Sequence, residues 1–375
     1  MNENRLEVIK SFNDTIFNND TVKNKKTLVF IYTPPKVGST TLVTSLRLSC
    51  ARGINVFHIH DETMLSVITG IKNNNNITIN ELIQYNSSIG KKVYVIDVYR
   101  NPIERKISEY FELLTSYHFN TTDNNISNYK LELLARRFNS LFPYIGSGDY
   151  FFDKYDIDVP EKFDFEKKYL LLEKNNVTYI KLRLCNSSEW SKLLTNILNI
   201  DIVIIKDYQT ENKIIGDVYK KFNDYYQIPY NLLETIKQCK YFNYYNSDLE
   251  RETYINKWNS KTTMSAVEPY SLEKYNFYKE ISNENQYYNF IQRDHYLDHG
   301  CMCNSCCYKR RQIIFKIKNG EQVDTKIIHE EVVQEKKNKR AQKINSICKK
   351  LKNKLNELSK KRNMPKSSKI NMNVS

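Results

Sequence analysis

The sequence predicts an α/β protein, a mainly parallel sheet flanked by helices with helical additions toward its C-terminus. Three observations carry that expectation. Apolar, β-branched and aromatic runs of strand length alternate with stretches whose apolar residues recur at helical spacing. The first run, residues 27–33, passes through Pro34-Pro35-Lys36-Val37-Gly38 into a helix start, and the run at 91–99 ends on Arg100-Asn101-Pro102 and a second helix start. Strands that alternate with helices are joined by crossovers, so they lie parallel and offer ligands their C-terminal ends.

Taken in order, residues 1–26 form a polar lead with room for one short helix. Thr27–Thr33 is a buried strand ended by two prolines, and Leu42, Val43, Leu46 and Cys50 fall on one helix face. Ile54–Ile59 alternates as a short strand, Asp61–Gly70 reads as a helix, Lys72–Asn76 as a polar loop and Ile79–Ile89 as a helix. After the Lys91–Tyr99 strand, Pro102 suits a first helical turn, and Ile107, Phe111 and Leu114 share a face of a helix over 103–117. A loop over Asn120–Asn128 and a helix over Leu131–Phe142 follow. Tyr169–Glu173 and Val177–Leu184, flanking Lys174-Asn175-Asn176, read as two strands paired through a turn. Ser187 or Ser188 then caps a helix to about Leu198 with Leu193, Leu194 and Ile197 inward, and Ile202–Ile205 is a last short strand. Residues 213–258 are helical and rich in aromatics, a pattern of core and lid packing.

The chemistry concentrates after the first strand. A strand, a tight loop and a helix N-terminus present free backbone N–H groups and the positive end of a helix dipole, which favour an anion. Gly38 permits a close backbone approach, Ser39, Thr40 and Thr41 offer hydroxyls, and Lys36 adds a point charge. The loop lacks the G-x-x-x-x-G-K-[ST] order of nucleotide triphosphatases, because its lysine precedes its glycine. It resembles instead the 5′-phosphosulfate loop of sulfotransferases that use 3′-phosphoadenosine-5′-phosphosulfate (PAPS). The second strand-helix junction agrees: Arg100-Asn101-Pro102-Ile103-Glu104-Arg105-Lys106-Ile107-Ser108-Glu109-Tyr110 is similar to the element with which that family grips the 3′-phosphate, through its first Arg and the Ser eight residues on. Arg offers phosphate a planar fork and Ser a hydroxyl donor.

The resemblance implies a P-loop-like sulfotransferase core over residues 27–260, with PAPS as co-substrate, no catalytic metal, and Lys36 meeting the charge on the leaving oxygen. A general base is then needed for the acceptor proton. The candidates lie in Phe57-His58-Ile59-His60-Asp61-Glu62. On a strand His58 and His60 share a face, so one can orient the other. An H-x-H pair occurs in the heparan sulfate 2-O-sulfotransferases, where the second His is the base, which puts His60 first. Other sulfotransferases use a Glu a little over twenty residues beyond the loop lysine, which points to Glu62. The H-x-H pair, and a likeness of residues 239–258 to the C-terminal part of capsular-polysaccharide sulfotransferase-like proteins, imply a glycan acceptor.

Composition bounds the rest. The chain has 375 residues, 40% hydrophobic and 27% charged, enough for one substantial core with appendages. Of its formal charge of +14, residues 334–375 hold +12, from fourteen Lys and Arg against Glu335 and Glu357. This basic tail, with Ile344, Ile347, Leu351, Leu355 and Leu358 in a narrow helical seam, suits an anionic acceptor, nucleic acid, an acidic membrane surface or a second copy of the chain. No run reaches the roughly 18–20 apolar residues of a membrane span, and residues 1–20 lack a signal-peptide pattern, so a soluble intracellular protein is expected. His295, His299, Cys301, Cys303, Cys306 and Cys307, in an extension over 261–333, form one local knot in which structural zinc competes with free thiols. Two readings stand against sulfuryl transfer: a nucleotide or small-molecule kinase, opposed by the missing G-K-[ST], and a non-catalytic nucleotide-fold module that binds anionic partners through its tail.

Overall fold

The computed structural model describes residues 3–16, 26–49, 54–69, 73, 76–119, 123–146, 148–205 and 213–284, with isolated residues beyond. The chain divides into two compact units, Met1–Thr325 and Lys326–Ser375, and every helix and strand named here lies in the first. The Cys/His knot and the apolar seam of the tail lie outside the described residues.

Helices are α1 Glu3–Ile16, α2 Ser39–Ser49, α3 Thr63–Thr69, α4 Ile79–Ser88, α5 Pro102–Glu112, α6 Leu131–Leu141, α7 Trp190–Leu198, α8 Gly216–Tyr225, α9 Tyr230–Lys237, α10 Lys240–Tyr245, α11 Asp248–Asn259 and α12 Leu272–Glu284. Apart from Ile228–Pro229, which pairs with Thr262–Thr263 away from the central sheet, the strands are β1 Thr27–Tyr32, β2 Ile54–Ile59, β3 Lys92–Tyr99, β4 Leu170–Lys174 and β5 Val177–Arg183. They form one sheet in the order β2-β1-β3-β5-β4. Neighbours run parallel except β4, which returns antiparallel beside β5. The protein is therefore α/β, with a mostly parallel central sheet flanked by helices.

Period-2 alternation sorts the side chains into two layers. Leu28, Phe30 and Tyr32 of β1 join Val93 and Val95 of β3 and Tyr179 of β5 against α1 and α4. Val29, Ile31, Tyr94, Ile96, Val98, Ile180 and Leu182 face the other way, onto Leu42, Val43 and Leu46 of α2 and Trp190 and Leu194 of α7. The polar-looking lead belongs to this core: α1 buries Ile9 and Phe12, and Arg5 pairs with Glu81 at 2.7 Å. A third cluster, from Ile103, Ile107 and Phe111 of α5 to Phe222, Phe242, Tyr254 and Trp258, is helix on helix, so most aromatics of 213–258 are packed, while Tyr225 and Tyr230 are exposed.

Four expectations change in detail. The helix predicted at 103–117 stops at Glu112 and widens into a π-turn over Leu114–His118. The 120–128 loop contains a helical turn, Asp123–Ile126. Neither Ser187 nor Ser188 caps α7: both lie inside a 3₁₀ stretch, Leu184–Glu189, and the residue before α7 is Glu189, which makes no side-chain cap. Residues 202–205 are not a strand. Val203 N–H donates to Ser49 Oγ (3.0 Å) and Ile205 N–H to Ser45 Oγ (2.8 Å), so hydroxyls of α2 satisfy donors that a ladder would otherwise take.

Candidate functional site

Three adjacent strands, β2, β1 and β3, deliver the candidate residues at their C-terminal ends. After β1 the backbone turns left-handed at Lys36 (φ 63°) and Gly38 (φ 92°) before α2 begins. Leu42 N–H closes onto Gly38 O at 3.3 Å, which leaves the N–H groups of Ser39, Thr40 and Thr41 in the turn that has no i−4 carbonyl of its own helix. Gly38 is demanded from behind as well: a Cβ there would meet Leu184 Cδ1 at 2.9 Å and Trp190 Cη2 at 3.4 Å. Its small size thus serves the packing of the loop on α7 as well as the backbone turn.

Arg100, the residue after β3, is half-buried and donates from Nη1 to Lys36 O at 2.8 Å, bracing the loop. Ser108, eight residues on, is buried at 3% exposure. Lys36 Nζ lies 3.1 Å from Glu112 Oε2 at the end of α5, and the same oxygen takes Lys213 Nζ. Burial pushes the Lys36 pKa below its ordinary value, and Lys213 and Arg100 add to that against the pull of Glu112. Glu112 itself is held below the ordinary carboxyl range: burial opposes this, but the two lysines outweigh it. Glu112 is thus shared by two lysines at the loop, with Arg100 braced on the Lys36 carbonyl beside them.

The histidines meet as the strand period requires. Their rings lie 4.6 Å apart, edge to face. His58 Nε2 is 2.9 Å from Ser39 Oγ, which links β2 to the first residue of α2. His60 Nδ1 lies 2.7 Å from Thr33 O. A carbonyl can only accept, so Nδ1 carries the proton and Nε2 the lone pair. Burial lowers the His60 pKa more than the Thr33 carbonyl and Asp61 raise it, and Lys36 and Arg105 lower it further, so the ring is neutral at pH 7. Glu62 accepts from Tyr32 Oη at 3.2 Å, and its other oxygen lies 4.0 Å from Lys154 Nζ. These contacts tie Lys36, Ser39, Arg100, His58 and His60 into one set, while Glu62 is occupied at the Tyr32 side.

Sequence reasoning missed the groups beneath. Asp97 and Lys181 are register partners on β3 and β5. Lys181 Nζ sits 2.7 Å from Asp97 Oδ2 and also bonds Asp149, and Lys181 and Asp97 are both fully buried. Thr33 Oγ1 donates to Asp97 Oδ1 at 2.6 Å. Burial, partly offset by Lys181, pushes the Asp97 carboxyl up to about 6. A charge inside each of two otherwise apolar strands was the available signal. Glu112 and Lys213 gave none.

Comparison with family models, with curated proteins and with solved structures finds no match. Among the described residues no helix is long and apolar enough to cross a membrane, and no group of three or more His, Cys, Asp or Glu is placed to hold a metal.

Proposed function

We propose that this chain transfers a sulfuryl group from PAPS to an acceptor hydroxyl, on a carbohydrate. The observation that supports this best is the set on three adjacent parallel strands: an anion-suited loop with Lys36 after β1, Arg100 after β3, and a neutral His60 with its Nε2 lone pair after β2. The donors suit the implied co-substrate. The N-terminus of α2, Gly38, Ser39, Thr40, Thr41 and Lys36 would hold the 5′ end, and Arg100 with Ser108 the 3′-phosphate.

PAPS supplies a sulfuryl group bonded to a phosphate oxygen that can leave with the electron pair. As the acceptor oxygen bonds to sulfur, His60 Nε2 takes the hydroxyl proton, and its Nδ1–H, fixed on Thr33 O, keeps the lone pair aimed. Lys36 meets the negative charge on the departing oxygen, an interaction stronger in the transition state than before it. His58 holds Ser39 and the ring of His60 rather than the proton.

The test is calorimetry with 3′-phosphoadenosine 5′-phosphate against ATP. Tighter binding of the 3′-phosphorylated nucleotide, lost in Arg100→Ala by about 10- to 150-fold as a charge-assisted contact of roughly 1.5–3 kcal/mol allows, supports the reading. Equal binding of ATP, or an equal loss for the 3′-dephosphorylated analogue, refutes it.

A further inference from the structure

A buried lysine between two buried carboxylates is poorly explained by stability. Removing three ionisable groups from water is expensive, and apolar side chains of similar volume commonly do as well. Lys181 stands where β5 could have carried another apolar residue like Tyr179, on the face that packs against α1 and α4.

Its two partners lead to the same place. On one arm Lys181 holds Asp97, Asp97 Oδ1 takes Thr33 Oγ1 (2.6 Å), and Thr33 O takes His60 Nδ1 (2.7 Å). On the other, Lys181 holds Asp149, whose Oδ1 caps the helical turn Tyr150–Asp153 by accepting from Phe151 N–H (3.1 Å) and Phe152 N–H (3.4 Å). Tyr150, the first residue of that turn, donates its hydroxyl to the main-chain carbonyl of His60. The tyrosine is steadied by Tyr32, edge to face at 5.0 Å. Phe151 and Tyr245 place their rings against the ammonium (5.4 and 4.9 Å), and Tyr245 Oη bonds Asp149 at 3.1 Å. The contacts close a circuit: His60, Thr33, Asp97, Lys181, Asp149, Tyr150 and His60 again.

We infer that Lys181 is a positioning residue: through Asp97–Thr33 and Asp149–Tyr150 it clamps His60 by its ring and by its backbone, and so selects the imidazole tautomer whose Nε2 is unprotonated. The purpose of that selection rests on the sulfuryl-transfer reading; the geometry does not. Thr33 O alone would hold Nδ1–H, but Thr33 lies just past β1, and besides its N–H on Ile59 O (3.3 Å) its place is set by its hydroxyl, which donates to Asp97 Oδ1 and accepts from Val98 N–H (3.2 Å). Cutting one arm loosens the acceptor of Nδ1–H and cutting the other loosens the backbone that carries the ring, so in either case the Nε2–H tautomer gains population.

The measurement is the pair of ring ¹⁵N shifts of His60 in labelled full-length protein at pH 7.5, without nucleotide or acceptor. In the unaltered protein Nδ1 is protonated and Nε2 is not. Thr33→Val and Tyr150→Phe cut one arm each and leave both ion pairs. Either should lower the ratio of Nδ1–H to Nε2–H by roughly 3- to 10-fold, as the loss of one hydrogen bond allows. Lys181→Met alone strands two carboxylates and risks unfolding. Lys181→Met with Asp97→Asn removes the anchor, while the new amide oxygen can still accept from Thr33 and Asp149 is still met by two N–H groups and Tyr245. It should therefore shift the ratio in the same direction by less than the Thr33→Val/Tyr150→Phe double variant. An unchanged tautomer ratio in the folded Lys181→Met/Asp97→Asn protein overturns the inference. The two ideas fail separately: tautomer shifts without any sulfuryl transfer keep the clamp and sink the proposed reaction. Where transfer is measured, the single-arm variants should lower kcat and leave the KM for PAPS unchanged.

Discussion

Lowering the pH from 7 to 5 should take about 2 kcal/mol from the folding stability through one side chain, His118. It lies in the π-turn that follows α5, 7% exposed, with Nδ1 2.7 Å from Tyr278 Oη on α12. Arg137 donates to its carbonyl at 2.9 Å, which sets a cation beside the ring. Burial first, and Arg137 second, push its pKa down to about 3. In an unfolded chain the value is about 6.5. Between these pH values the unfolded state binds a proton that the folded state refuses. The contribution is therefore whole above about pH 6.5 and is lost as the pH falls toward 3. The full span is on the order of 5 kcal/mol at 1.36 kcal/mol per pH unit, and about 2 of it falls between pH 7 and 5. Urea unfolding of the wild type and of His118→Gln at both pH values isolates the effect, because other groups titrate in both proteins. Asp97 is one of these and acts with the opposite sign: its raised value makes acidification through pH 6 favour the fold. If His118→Gln loses as much stability as the wild type between pH 7 and 5, the buried neutral histidine is wrong. If it is right, amide exchange in α12 should rise first on acidification, since Tyr278 is the tie.

Lys36→Ala should lower kcat by more than it raises KM, because the interaction strengthens as charge develops on the leaving oxygen; steady-state kinetics showing only a KM effect would assign Lys36 to binding. His60→Ala should leave nucleotide affinity intact and lower turnover by roughly 10²–10⁴-fold, with the acid limb of the pH–rate profile gone; if His58→Ala or Glu62→Ala abolishes turnover instead, the base is one of those. Gly38→Ala should cost about 1–2 kcal/mol for the left-handed backbone, with the Leu184 tip at 2.9 Å yielding to the new methyl; a melting temperature equal to that of the wild type would show that the loop relaxes freely.

Local pattern carried much of the fold because most of its signals are local. The five strands sit within a residue or two of their expected bounds, and the alternation of 28, 30, 32 against 29, 31 sorts them to the right layers. The run 202–205 misled because an apolar stretch does not say who satisfies its N–H groups, and here two serines of α2 do. The Ser187-Ser188 pair misled for a related reason: a hydroxyl before a helix pattern signals a cap only if the helix begins next, and a 3₁₀ stretch intervenes. In the site, the loop and the histidine pair were legible because strand-loop-helix and i, i+2 spacing are short-range facts. Asp97 and Lys181 are 84 residues apart and become partners only through parallel register. Asp149 sits in a stretch with no periodicity, so nothing in the sequence joined it to them.

Charge count separates this loop from a merely capped helix. A capped helix satisfies its first N–H groups with one hydroxyl or carboxylate and needs no cations nearby. Here Lys36, Lys213 and Arg100 gather at the loop, with the carboxylate of Glu112 taking both lysines. Glu112 offsets part of the lowering that burial imposes on the Lys36 pKa. An anion at the loop would compete with Glu112 for Lys36, while Lys213 stays to compensate the carboxylate. Such an excess of cations, with a helix N-terminus behind it, favours a group bearing more than one negative charge over a singly charged one. Under the proposed reaction the phosphosulfate joined to a 3′-phosphate has that character, and Arg100, on the β3 side, would take the second phosphate.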